Sequence, residues 1–214
     1  VSNIVLNDEQ LKWLNVDFLQ TFDSYCWIAG GAITHCLLNC RPNDIDIFFD
    51  SKSSRLDALN KSLSIGYEVL TAGARFIKLR DTKNIRPTMI SFDWENNLTK
   101  RDRPKFFDLI VLGNSPDETI RAFDFSINQV AIDKNNKTFS TSDALDDILN
   151  KRLIINGQHP NNSPVNKAKV ILKNLRKGFT INNQELSKIF PSMPENINST
   201  DEQIMWLVEY IVEK

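Results

Sequence analysis

Residues 27–50 read WIAGGAITHCLLNCRPNDIDIFFD, and this stretch decides the fold. Cys26 to Ala29 reads as a first apolar strand, Gly30-Gly31 as a turn, Ala32 to Asn39 as a short helix, and Arg41-Pro42-Asn43 as a polar turn leading into a second strand. Side chains alternate faces along a strand, so Asp44 and Asp46 leave one face while Ile45 and Ile47 enter the core. Two carboxylates stand side by side.

Adjacent like charges force one group to keep its proton unless a cation sits between them. Hard oxygen ligands suit Mg²⁺, or Mn²⁺, with the rest of the shell filled by water and substrate phosphates. Gly30 and Gly31 add a reason to expect phosphate, because residues without Cβ let backbone N–H groups approach an anion at a helix start. Alone, a Gly-Gly is a turn and an Asp-x-Asp a solvated edge pair. Together, Gly30-Gly31, about a dozen residues, then Asp44-x-Asp46 resembles the signature of the DNA polymerase β-like nucleotidyltransferase superfamily.

The 214 residues suffice for one sizeable core, or a domain with a helical appendage. Net charge is −1, so any nucleic-acid site must be a local basic patch. No apolar run reaches the length of a membrane span, and the N-terminus lacks the regions of a secretory signal, so the expectation is no membrane and a cytoplasmic location. Cys26, Cys36 and Cys40 are three in one segment, which argues for buried reduced thiols over a disulfide framework or zinc.

Working outward, Asn7-Asp8-Glu9-Gln10 reads as a capping box before Leu11, Leu14, Phe18 and Phe22 at helical spacing. Ser51 to Leu63 reads as a helix with Leu56, Leu59 and Leu63 inward, and Glu68 to Thr71, Arg75 to Leu79 and Thr88 to Phe92 as strands. Lys100, Arg101, Arg103 and Lys105 read as a solvated loop, narrowly ahead of a substrate-facing one. In Phe106 to Leu112 one carboxylate interrupts an apolar strand; such a charge is costly unless paired or metal-bound, which makes Asp108 the third candidate ligand. Ser115-Pro116-Asp117-Glu118 starts a helix expected to run on through Asn128, placing Arg121, Asp124 and Asn128 along one side.

Asp124-Phe125-Ser126-Ile127-Asn128 resembles the Asp-Phe-Thr-Ile-Asn motif of tRNA nucleotidyltransferases and bacterial poly(A) polymerases, and the resemblance runs from about Tyr25 to Thr180. A hairpin around Asn135-Asn136 and an Asp-containing segment at Asp143 to Ile148 follow. Next comes a helix with Ala168, Ile171, Leu172 and Leu175 on one side and Lys169, Lys173, Arg176 and Lys177 on the other. Asn182 to Phe190 and Thr200 to Val212 read as two more helices, the second opened by a capping box from Thr200 to Gln203. The resemblance implies an α+β fold: a mixed-sheet nucleotidyltransferase head with helices on one side over residues 1–157, and a small helical neck-like region over 158–214.

It also implies an activity. Asp44, Asp46 and Asp108 would hold the metal ions, Gly30 and Gly31 would support the triphosphate of an NTP such as ATP, and Arg121, Asp124 and Asn128 would contact the nucleotide. The implied reaction adds a nucleotide to an RNA 3′ end, tRNA among them, with Lys169, Lys173 and Arg176 on RNA phosphates. Two departures stand out: Phe123 precedes the motif where the family has Arg, and Gly113 ends the Asp108 strand where the family has another Arg. They leave two other readings open: transfer to a protein or small molecule, and an inactive head that binds nucleotide or a partner.

Overall fold

The computed structural model describes residues 4–82, 106–156, 163–194 and 196–213. The expected strand Thr88 to Phe92 and the basic cluster Lys100 to Lys105 lie outside the described residues. The elements run α1 (Asp8–Leu14), α2 (Val16–Leu19), β1 (Cys26–Ala29), α3 (Gly31–Leu37), β2 (Asp44–Phe49), α4 (Lys52–Ser64), β3 (Tyr67–Ala72), β4 (Phe76–Asp81) and β5 (Phe106–Val111). Then come α5 (Pro116–Arg121), a 3-10 turn (Ser126–Asn128), β6 (Val130–Asp133), β7 (Thr138–Ser140), α6 (Ala144–Leu149), α7 (Pro164–Leu175), α8 (Asn183–Ile189) and α9 (Thr200–Glu213).

The strands form one mixed sheet in the order β3-β4-β5-β2-β1-β6-β7. Only the β2–β5 pairing among these is parallel, and the long connection between those two strands supplies the crossover that a parallel pair needs. This is the α+β, mixed-sheet architecture expected from the sequence. One face is the main core: Ile45, Ile47 and Phe49 of β2 and Phe107 and Leu109 of β5 are essentially inaccessible there, each burial contributing about 1.5–3 kcal/mol. The opposite face carries Asp44, Asp46 and Phe48 of β2 with Asp108 and Ile110 of β5. At one end α5 seals it, Ile120 packing on Trp27, Ala29, Phe48 and Ala131. At the other end it is open at Asp44, which is exposed.

The C-terminal helices share the main core, with Ala168, Ile171 and Leu175 of α7 joining Leu153 and Ile155. The Gln203 amide of α9 donates to the Ile181 carbonyl at 3.1 Å, and Phe190 meets the Trp206 and Tyr210 rings at 5.3 and 4.9 Å.

Four local readings are corrected. The first helix does follow its capping box, with Asn7 and Gln10 exchanging bonds of 3.0 and 2.9 Å. It breaks at Asn15, whose φ of 55° leaves the helical region, and resumes as α2. Helix α4 turns Arg55, Ala58 and Ser62 inward, leaving Leu56 and Leu63 exposed; the Arg55 guanidinium fixes that rotation by donating to the Ala74 carbonyl at 3.1 Å. Helix α9 is capped one residue early: the Ser199 hydroxyl accepts from Glu202 N–H at 3.2 Å, and the Glu202 carboxylate accepts from Ser199 N–H at 3.0 Å. Cys26 and Cys36 are buried thiols outside any disulfide, but Cys40 is exposed.

Candidate active site

The parallel register pairs Asp44 with Phe106 and Asp46 with Asp108. Registered residues on neighbouring strands project to the same face, so all three sequence-predicted carboxylates share one surface. Asp46 pays for this crowding: burial first, then the Asp108 and Asp44 charges, push its carboxyl up from 3.8 to about 7, against the pull of Lys78 and Lys173. Asp108 is also raised, chiefly by burial, with Lys78 opposing and Asp44 adding.

Lys78 was not foreseen. Strand β4 registers it against Asp108, and its Nζ lies 3.6 Å from Asp108 Oδ2 and 3.8 Å from Asp44 Oδ1. Its only sequence signal is parity: in Phe76 to Asp81, Lys78 and Arg80 alternate with buried Ile77 and Leu79.

Among the described residues, no three His, Cys, Asp or Glu side chains stand at a spacing ready to hold a metal ion; the cation that Asp44 and Asp108 hold is the Lys78 ammonium. Donor identity and placement nevertheless fit a hard divalent cation. The carboxylates share a face, and Asp108 Oδ1 is buried with no hydrogen-bond partner among the described residues, a lone pair that burial leaves costly until a donor or cation meets it.

Gly30-Gly31 leaves β1 just beyond the Ile28–Ile47 pair, next to Asp46. Gly30 has φ +83°, and a Cβ there would stand 3.2 Å from Phe123 Cζ. The Phe123 ring thus backs the turn and packs edge-on against Phe48, centroids 6.0 Å apart; the residue that departs from the resembled motif is a packing residue. Gly113 has φ +75°, and a Cβ would meet Glu118 Cβ and Thr119 N at 3.1 Å, so that turn accommodates no Arg.

Arg121, Asp124 and Asn128 do not share a helix side. Helix α5 ends at Arg121, Phe125 is extended and bridges to Ile155, and Asn128 closes the 3-10 turn. Arg121 is exposed. Asp124 is buried on the Lys167 ammonium at 3.2 Å, a partner from α7 that the sequence did not suggest. Asn128 does reach the site: its Oδ1 would be 3.9 Å from a Cβ on Gly31.

Lys169, Lys173 and Arg176 are exposed on or just after α7. The charge of Lys173 is felt at Asp46 and at His35. Burial, then Lys177 and Lys173, push His35 down to about 4, so it is neutral at physiological pH and hydrogen-bonds Lys177 Nζ. Lys177, just past the end of α7, thus meets α3, the helix that Gly31 opens. Among the described residues, no helix is long and apolar enough to cross a membrane.

A family model described as "Gad2: Gabija anti-defense 2 family protein" matches residues 5–151. No curated protein matches the sequence. Solved structures of similar fold include a CCA-adding enzyme in complex with ATP, with TM-score 0.63 and 13% identity over 100% of this chain and 52% of that one. The Thermotoga maritima CCA-adding enzyme complexed with tRNA has TM-score 0.59 and 13% identity over 97% and 52% of the two chains. The Bacillus stearothermophilus CCA-adding enzyme in complex with CTP has TM-score 0.57 and 14% identity over 96% and 49%. The chain thus spans about half the length of the CCA-adding enzymes it matches, and at these identities the likeness is one of fold.

Proposed function

The chain belongs to the Gabija anti-defense 2 family, and on that premise we propose that it is a metal-dependent nucleotidyltransferase. It would move a nucleotide from an NTP to an acceptor hydroxyl and release pyrophosphate. One observation carries the reading: the β2–β5 register brings Asp108 beside Asp46 on the face of Asp44, within the fold of nucleotide-transferring enzymes.

Asp44, Asp46 and Asp108 would hold Mg²⁺ or Mn²⁺. A divalent cation there supplies activation of the attacking hydroxyl and neutralisation of the leaving pyrophosphate. Gly31, half-buried beside buried Gly30, would let the triphosphate approach the backbone next to Asp46. Asn128, next to Gly31, faces the nucleotide. Asp124, locked on Lys167, acts as frame for the 3-10 turn that carries Asn128, and exposed Arg121 borders it. Asp108, whose Oδ1 meets no hydrogen-bond partner among the described residues, would serve the acceptor side. The acceptor oxygen bonds to the α-phosphorus as the bond to pyrophosphate breaks, and the residues contribute positioning and charge.

For the acceptor, an RNA 3′ end is the first reading. It is supported by the exposed basic side chains Lys169, Lys173 and Arg176 on and just after α7, with Lys177 beyond them touching His35 of α3. The family match favours a second reading, in which the acceptor is a component of the Gabija defence that the family is named for opposing. Incubation with α-labelled NTPs and Mg²⁺, with total RNA in one reaction and Gabija proteins in another, decides between them. Label in RNA supports the first reading and label in protein the second; label in neither, with no pyrophosphate released, refutes the proposal.

A further inference from the structure

Lys78 is a cation at the centre of a site whose chemistry calls for a different cation. Its Nζ stands between Asp108 Oδ2 at 3.6 Å and Asp44 Oδ1 at 3.8 Å, and its strand position opposite Asp108 makes that placement part of the sheet register. The side chain is 30% exposed, and its ammonium also lies 5.7 Å from the centre of the Phe106 ring. A lysine stem is long and flexible, and an aromatic face is a second acceptable environment for its charge. The ammonium can thus leave the carboxylates without any strand moving.

We propose that Lys78 is a resident, displaceable counter-ion that competes with the divalent cation for Asp44 and Asp108. This inference rests on the metal-binding reading given above. Without a metal, Lys78 offsets the repulsion among three carboxylates on adjoining strands and keeps the open end of the sheet paired. A divalent cation must take oxygens of Asp44 and Asp108 from it, so metal binding is weakened by whatever those two contacts are worth. The freed ammonium stays beside the site, where a triphosphate supplies the negative charge it has lost. Metal and nucleotide therefore bind better together than metal binds alone.

The test is direct titration of Mn²⁺, followed by calorimetry and by the loss of free Mn²⁺ electron paramagnetic resonance signal. Wild type, Lys78→Met and Lys78→Gln are each measured with and without a non-hydrolysable NTP analogue. Two contacts on a partly exposed ammonium are together worth about tenfold in an equilibrium constant, so each variant should bind Mn²⁺ about tenfold more tightly than wild type without nucleotide. The gain on adding the analogue should shrink accordingly. In EDTA both variants should melt below wild type, and Mn²⁺ should raise their melting temperatures by more than it raises that of wild type. A lower melting temperature with Mn²⁺ affinity unchanged or weaker makes Lys78 a structural ion-pair residue and overturns the proposal while leaving the metal site standing. Absence of Mn²⁺ binding in all three proteins, with and without analogue, overturns the proposal and the metal-binding reading together.

Discussion

Replacing Asp46 by Asn should make the metal-free protein more heat-stable, and only toward neutral and alkaline pH. Asp46 has its folded-state value raised from 3.8 to about 7 by burial and by Asp108 and Asp44. An acid with a raised folded value holds its proton more tightly in the fold than in the unfolded chain. Its stabilising contribution is complete below about pH 4 and is lost as pH rises to about 7. At about 1.4 kcal/mol per unit, the shift corresponds to a ceiling of about 4 kcal/mol. Asp46 is only partly buried, and solvent screening brings the expected figure to about 2 kcal/mol. Asn keeps the shape without the charge, so at about pH 8 in EDTA Asp46→Asn should melt about 4–8 °C above wild type for a chain of this size. At about pH 4 the two should nearly coincide. Scanning calorimetry at both pH values reads the effect. A variant that melts at or below wild type at pH 8 refutes the claim that three crowded carboxylates destabilise the apo site.

Gly30→Ala should cost about 1–3 kcal/mol by denaturant titration, because φ is +83° and the new Cβ meets Phe123 Cζ at 3.2 Å. Lys167→Met should cost about 3 kcal/mol, since it takes the 3.2 Å ammonium from buried Asp124, and a cost under ~0.5 kcal/mol would mark that pair as incidental. Reversing Lys169, Lys173 and Arg176 to Glu should weaken RNA binding and flatten its salt dependence, each lost phosphate contact removing about one released counterion. Unchanged RNA affinity in filter binding across salt concentrations would remove α7 from the acceptor site.

Much of the candidate site was legible because it is local. Gly30-Gly31 and Asp44-x-Asp46 lie within one strand-turn-helix-turn-strand unit, where period and turn chemistry suffice. Asp108 was legible as a charge in an apolar strand, but its position beside Asp46 depends on a parallel register between strands far apart in sequence. Local pattern does not fix such a register. Lys78 was missed for the same reason: a lysine on the polar side of an alternating strand is ordinary until β5 brings Asp108 against it. The helix expected through Asn128 fails because Phe125, extended, pairs with Ile155, a tertiary contact that overrides local propensity. Leu56 and Leu63 of α4 misled because Arg55 finds a backbone carbonyl inside and holds the helix rotated, while Leu59 packs on the core as expected.

The central claim is that the face of Asp44, Asp46 and Asp108 transfers nucleotides. It is tested most directly by pyrophosphate release from NTP with Mg²⁺ and acceptor, comparing wild type with a purified, folded Asp46→Asn. Wild type should release pyrophosphate in step with label entering the acceptor, stop when EDTA is added, and exceed the variant by at least ~10²-fold, as expected for loss of a principal electrostatic stabiliser. Equal rates for wild type and Asp46→Asn would contradict the account.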